Sequence, residues 1–144
     1  MNQTPNNLAV YNTAKSLLGK RLTLDPTVPK ELQCAQSISY ILKQAGIKGI
    51  PKKGFSSTKA LYAFLSDNQP QFWYTVPAPL QGDIVLCVTG EGKYPHGHAG
   101  IWGKTHVMSN SSDNGLWEPN YTNLQWRKYF GETGKFPIHF FRRL

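Results

Sequence analysis

The stretch from Gly82 to Ile101, GDIVLCVTGEGKYPHGHAGI, decides how the chain is read. Behind Gly82, Asp83 to Thr89 is a near-continuous apolar run, the pattern of a buried strand. Gly90 to Gly97 is rich in turn formers, and His98 opens a second strand that continues to Gly103. A third strand is expected over His106 to Ser111. Asp113-Asn114-Gly115 then closes as a tight turn, because Asn-Gly tolerates positive φ. Working outward, aromatic and β-branched Phe72 to Val76 reads as one more strand and Phe136 to Arg142 as the last, with a short helix over Thr122 to Phe130.

Before Phe72 the period is helical. Leu8, Tyr11, Ala14, Leu17 and Leu18 step by three and four, which predicts a helix from Leu8 to Arg21 with Gly19 near its end. A second helix is expected from Pro29 or Lys30 to Ala45, with the stripe Ala35, Ile38, Leu42, Ala45 buried and Gly46 as the stop. Thr58 to Leu65 reads as a third, with Ser57 as N-cap. Helices come first and an antiparallel sheet follows, an α+β layout in a single domain over residues 1–144.

The 144 residues suit one ordinary domain, and 40% apolar with 17% charged residues excludes a disordered polyelectrolyte. No run of about 18 apolar residues is present, so no membrane insertion is expected. Met1 to Asn7 is polar and uncharged, unlike a secretory signal peptide. A net charge of +8 favours acidic partners: nucleic acid, an anionic membrane surface or a bacterial wall. The charge is scattered, densest at Lys48, Lys52, Lys53 and Lys59, and no nucleic-acid recognition motif accompanies it. It is read as steering, with nucleic acid not expected as the main partner.

Cys34 lies near the start of the second helix, where backbone dipoles favour a thiolate and lower the thiol pKa. A nucleophilic thiol needs an imidazole to take its proton, and the imidazole needs a polar partner to hold its tautomer. His98, at a strand start behind a glycine loop, is the candidate base. Period-two alternation sets His106, Met108 and Asn110 on one face of the next strand, which makes Asn110 a candidate partner with His106 beside it. Cys87 sits mid-strand in an apolar run and reads as core, so a Cys34–Cys87 disulfide is not expected.

Helix-borne Cys34, then Gly82-Asp83-Ile84-Val85, then Gly97-His98-Ala99-Gly100-Ile101 resembles the NlpC and CHAP branch of the papain-like cysteine hydrolases. The resemblance spans about Leu32 to Ser111. It implies a papain-like fold, N-terminal helices packed on an antiparallel β-sheet, with Cys34 as nucleophile and His98 as base. Counting twelve on from His98, as the NlpC pattern does, reaches Asn110 as the third catalytic residue. Gln33-Cys34 is similar to the Gln-Cys pair of CHAP domains, which implies that the Gln33 side chain or the Cys34 N–H helps hold the oxyanion. The Asp-Cys-Ser-Gly usual around an NlpC nucleophile is replaced by Gln33-Cys34-Ala35-Gln36. CHAP domains often carry a Glu and an Asn after the histidine, positions that Glu118 and Asn120 match, so the third residue stays open between Asn110, His106 and Glu118.

Two rival chemistries fit the sequence less well. His96-Gly97-His98 is a His-x-His of the kind a zinc hydrolase uses, but no histidine precedes His96 to complete a ligand set. A glycosidase needs two carboxylates flanking a cleft, and none of the eight acids has that setting. Trp102, on the expected face of His98, and Trp117, close behind Asn110, are candidates for substrate contact. The expectation is a peptidoglycan amidase or endopeptidase needing no metal or organic cofactor. It is read as a monomer with bacterial peptidoglycan as partner, an immunity protein being left open. Synthesis in the cytoplasm and release to the wall by a holin or a secretion system are expected, as for a phage-type endolysin or an antibacterial effector. The alternatives are a zinc-dependent wall hydrolase and a non-enzymatic binding module for cell wall or nucleic acid.

Overall fold

The structure, a computed structural model, describes residues 2–68 and 72–144. Thr4 caps α1 (Pro5–Ser16) by accepting the Asn7 N–H, and Pro5 sits in the first turn, where its missing N–H costs nothing. α1 stops short of the expected Arg21. Gly19 turns to φ +84°, its N–H donates to the Trp117 carbonyl at 2.8 Å, and the Trp117 N–H donates to the Lys20 carbonyl at 2.9 Å.

A 3₁₀ turn over Lys30–Leu32 leads into α2 (Gln33–Gln44), whose stripe Ala35, Ile38, Ile41, Leu42 is wholly buried. Three polar residues of α2, Gln36, Ser37 and Ser39, are buried too, and each holds a loop. Gln36 Oε1 accepts the Leu24 and Asp25 N–H groups, and its Nε2 donates to the carbonyls of Lys53 and Phe55. Ser37 Oγ donates to the Leu22 carbonyl, and Ser39 Oγ accepts the Phe55 N–H. Two proline-rich loops are thereby tied to the helix that carries Cys34, with no orphaned amide left on Gln36. α3 (Thr58–Asp67) begins at Ser57, whose hydroxyl accepts the Ala60 N–H as an N-cap should.

The second half folds as one antiparallel sheet of six strands: β1 (Trp73–Thr75), β2 (Ile84–Cys87), β3 (His98–Ile101), β4 (His106–Asn110), β5 (Trp117–Thr122) and β6 (His139–Arg143). Their spatial order is β1-β6-β2-β3-β4-β5. One face presents Ile84, Leu86, Ala99, Ile101, Met108 and Phe141 to the helices. The other presents Val85, Cys87, Val107 and Phe140 to Trp126 and Phe130, which come from α4 (Asn123–Trp126) and a π-helical turn over Arg127–Thr133. Cover on both faces explains why β2 reads as an unbroken apolar run rather than an alternating one. N-terminal helices against a multi-stranded antiparallel sheet is the α+β arrangement expected from the sequence.

β5 was not anticipated. Its segment WEPNYT is polar and carries Pro119, which a central strand would not accept. β5 is an edge strand, and its register against β4 shifts between Val107 and Ser109 at a bulge that absorbs the proline. Thr122 and Gln125 then form a capping box that starts α4, so the expected helix over Thr122 to Phe130 is split between α4 and the π turn.

Two glycines and one ion pair hold β2 and β3 in place. A Cβ on Gly97 would lie 1.8 Å from the Cys87 carbonyl oxygen, so only glycine lets the strand that begins with His98 approach β2. Gly82 has φ +94°, and a Cβ there would meet the Asn7 carbonyl at 2.2 Å. Asp83, fully buried, accepts from Arg142 Nε at 2.8 Å and Nη2 at 2.6 Å, and also from the Leu80 N–H. The Gly-Asp step is thus a structural device joining β2 to β6, and the pair satisfies both buried charges.

Candidate active site

A cleft of about 550 Å³ opens at the end of the sheet where α2 begins and β3 starts. Cys34, His98 and Asn110, far apart in sequence, all line it. Cys34 is 4% exposed and packs in the helix-side core, and the backbone N–H groups of Ala99, Ala35 and Cys34 itself are directed at its sulfur. The thiol therefore touches the peptide that follows His98.

His98 approaches the same cleft from the other face of the sheet. Its ring stacks on Trp126 at 5.4 Å and 18°, and on Phe130 at 5.7 Å and 26°, with Tyr121 edge-on at 6.2 Å. Ala99 and Ile101 point towards α2, so alternation turns His98 towards this aromatic layer. Among the described residues no hydrogen bond joins the imidazole to Cys34, to Asn110 or to any other group.

Burial governs both ionisable groups. Desolvation pushes the Cys34 thiol up to about 11, the three backbone N–H groups offsetting only part of it. The low thiol pKa expected from the helix start is thus reversed in this geometry: the dipole and N–H contributions are outweighed by loss of water around the sulfur. Desolvation alone brings His98 down to about 4, since aromatic rings replace water and no carboxylate faces it. The resting site holds a neutral thiol and a neutral imidazole.

Asn110 is 5% exposed and, two residues beyond Met108 on β4, faces the helix side with Cys34. The β3–β4 register pairs Gly100 with Ser109, and one residue further it sets Asn110 alongside Ala99. The Asn110 side-chain amide makes no hydrogen bond among the described residues. On the His98 face, Ser109 Oγ donates to Asn120 Oδ1 at 2.5 Å, and Asn120 lines the cleft as well. Glu118 also lines it and accepts from Asn114 Nδ2 at 2.7 Å. His106 is exposed at the far end of β4, its Nδ1 beside Thr105 Oγ1, and does not line the cleft.

The three residues expected to contact substrate lie elsewhere. The Gln33 amide is committed to the Val28 carbonyl at 2.8 Å and the Asp25 carbonyl at 3.4 Å, so it braces the loop ahead of α2. Trp102 does share the His98 face, but at the opposite end of β3, under Arg127 and against Phe140. Trp117 is wholly buried on the helix side, its indole N–H donating to the Ala14 carbonyl at 3.1 Å. The cleft walls come instead from Tyr94, Tyr121, Tyr129 and Phe130. Trp126 and Phe130 stand four apart, a helical spacing that signals one shared face, but the partner of that face is set by the tertiary fold. Cys87 is buried and free, on the opposite face of the sheet from Cys34. His96 is exposed while His98 is stacked, and among the described residues no group of three or more His, Cys, Asp or Glu is placed to hold a metal ion.

The sequence matches no protein-family model and no curated protein. Among solved structures, the fold is similar to a chain of the type VI native effector–immunity complex Tae3–Tai3 from Ralstonia pickettii. The TM-score is 0.56 at 17% identity, over 94% of this chain and 97% of that one. The likeness bears on the fold alone, helices packed on an antiparallel sheet, and is consistent with the arrangement that the sequence resemblance implied. No helix is long and apolar enough to cross a membrane among the described residues.

Proposed function

We propose that the chain is a cysteine hydrolase that cuts an amide of the bacterial wall peptide, acting as an antibacterial effector restrained in its producer by an immunity protein. The observation that carries the reading is the meeting of Cys34, at the start of α2, with His98 and Asn110 in one open cleft. Similarity to a chain of an effector–immunity complex supports an effector over an endolysin, and supports an immunity partner. The +8 charge supports a polyanionic wall as the place of action, through encounter rather than specificity.

In the resting arrangement the thiol and the imidazole share no hydrogen bond, and desolvation shifts each towards its uncharged form. Catalysis therefore requires His98 to leave the Trp126–Phe130 stack and turn to the Cys34 sulfur, where each charge stabilises the other. The thiolate then attacks the carbonyl carbon, and the Cys34 N–H at the helix start holds the oxyanion. The C–N bond breaks as His98 gives its proton to the leaving amine. Water, deprotonated by His98, hydrolyses the thioester and releases a carboxylate with the thiol restored. Asn110 serves as the orienting residue from the Cys34 side. Asn120, held by Ser109 on the His98 side, is a second candidate for that role, favoured by the face on which the ring lies.

Release of soluble fragments from purified sacculi tests this reading. Wild type is expected to digest them, with Cys34→Ala and His98→Gln at least about a thousandfold slower, the scale of losing one member of a catalytic unit. Digestion stopped by a thiol alkylator and untouched by a chelator is expected; the reverse would point to a metal hydrolase.

A further inference from the structure

Arg142 and Arg143 are neighbours at the end of β6, and strand alternation turns them to opposite faces. The Nε and Nη2 groups of Arg142 donate side by side to the two oxygens of Asp83. The same edge of Arg143 has no partner: its Nε is buried without a hydrogen bond, and its Nη2 makes none among the described residues. Only Nη1 is engaged, donating to the main-chain oxygens of Phe72 at 3.5 Å and Leu144 at 3.3 Å. The guanidinium carbon lies 5.1 Å from the centre of the Phe72 ring and 5.9 Å from that of Trp73, so aromatic faces hold the group and displace water from it. Burial keeps the Arg143 pKa below its ordinary value, whereas the hydrogen bonds to Asp83 raise that of Arg142.

Arg143 lines a cavity of about 510 Å³ bounded by the edge strand β1, the end of α3 and the turn that follows α2. Phe64, Phe72 and Trp73 supply its apolar wall, Phe72 being 45% exposed, and Lys48 brings a second cation. No Asp or Glu lines it, and among the described residues neither Lys48 nor Arg143 is in a salt bridge. Cys34 is in the first turn of α2 and the cavity adjoins its last, about 15 Å along the axis, so this site is separate from the cleft.

We propose that this cavity is a second binding site, for a phosphate monoester whose organic part rests on Phe64 and Phe72. A partly buried guanidinium with an unmatched edge is completed by two anionic oxygens set side by side, as Asp83 completes Arg142. A phosphate monoester offers those two and a third for Lys48, which a carboxylate lacks. The aromatic wall then covers the group that carries the phosphate. A soluble ester and a lipid headgroup share this chemistry. The site stands whether or not Cys34 cleaves wall peptide.

Phenyl phosphate titrated into ¹⁵N-labelled protein tests the site through the Arg143 Nε resonance and the Gly46 and Gly49 amides, which border the cavity. These signals are expected to shift together and saturate, with phenyl phosphate bound about tenfold more tightly than inorganic phosphate because its ring is buried. Lys48→Ala, at an exposed position that leaves the fold intact, should weaken binding about fivefold. Arg143→Lys, which keeps the charge and removes the fork, should weaken it about tenfold. Shifts that never saturate, or that stay confined to Lys52, Lys53 and other surface lysines, would overturn the inference. Equal affinity for phenol would overturn the phosphate assignment, and wild-type affinity in both variants would overturn the assignment to these residues. Sedimentation with phosphatidylcholine vesicles containing phosphatidic acid, lost in Arg143→Lys, would support the site with a lipid headgroup as the source. Phenyl phosphate binding without vesicle binding would support it with a soluble ester as the source.

Discussion

Cys34 and His98 share a cleft without sharing a hydrogen bond: the thiol rests against the Ala99 N–H while the imidazole lies stacked on Trp126, on the other face of β3. The pair is poised by position and not by protonation. Each group is neutral at rest, one with a raised and one with a lowered pKa, and both shifts come first from desolvation.

The state of the thiol has a direct chemical readout. With a pKa of about 11, Cys34 should react with iodoacetamide at pH 7 more slowly than a free cysteine, and its rate should climb up to about pH 11. Peptide mapping after timed labelling follows Cys34 separately from Cys87, which burial pushes higher still, to about 12. Rapid labelling of Cys34 at pH 7 would mean that the thiolate is formed at rest and that the stacked geometry of His98 is not the resting one.

His98 makes folding sensitive to acid. Its pKa of about 4 in the folded chain lies below the 6.5 of an unperturbed histidine, so between these values the unfolded chain binds the extra proton. Stability is full above about pH 6.5 and falls as the pH drops towards 4, by up to about 3 kcal/mol. Thermal midpoints measured across that window should decline more steeply for wild type than for His98→Gln. Parallel curves would show that the ring is not confined by the aromatic stack.

Removing one member of the Asp83–Arg142 pair leaves the other charge buried. Asp83→Asn is expected to cost about 3–5 kcal/mol in denaturant unfolding. Asp83→Asn with Arg142→Met should recover part of that loss, since no charge then stays unmatched. A single variant within about 0.5 kcal/mol of wild type would contradict a structural role for the Gly-Asp step.

What the sequence made legible follows from periodicity. The α2 stripe and the buried β2 run are strong, regular signals, and the order Cys34, Gly82-Asp83, His98 points to two residues that line one cleft. β5 was hidden because Pro119 and its polar neighbours contradict strand propensity, and only an edge position with a bulge admits them. The faces of Trp102 and Trp117 are consistent with alternation, but their distance along the strands from the cleft is a tertiary fact. The resemblance of Gln33-Cys34 to the CHAP Gln-Cys pair implies a place for Gln33 at the oxyanion; a helix turns adjacent residues about 100° apart, and the Gln33 amide is bonded to the preceding loop instead. The thiol pKa was missed for a related reason. A helix start is visible in sequence, whereas the burial that outweighs it comes from packing the helix on a sheet built from segments far along the chain.

The central claim is that Cys34 cleaves an amide of the bacterial wall. Mass spectrometry of peptidoglycan fragments, digested in ¹⁸O-water by wild type and by Cys34→Ala, tests it most directly. The account predicts new free amines matched by new carboxylates carrying one labelled oxygen, with wild type alone. The same products from Cys34→Ala, or intact wall peptide with both proteins, would contradict it.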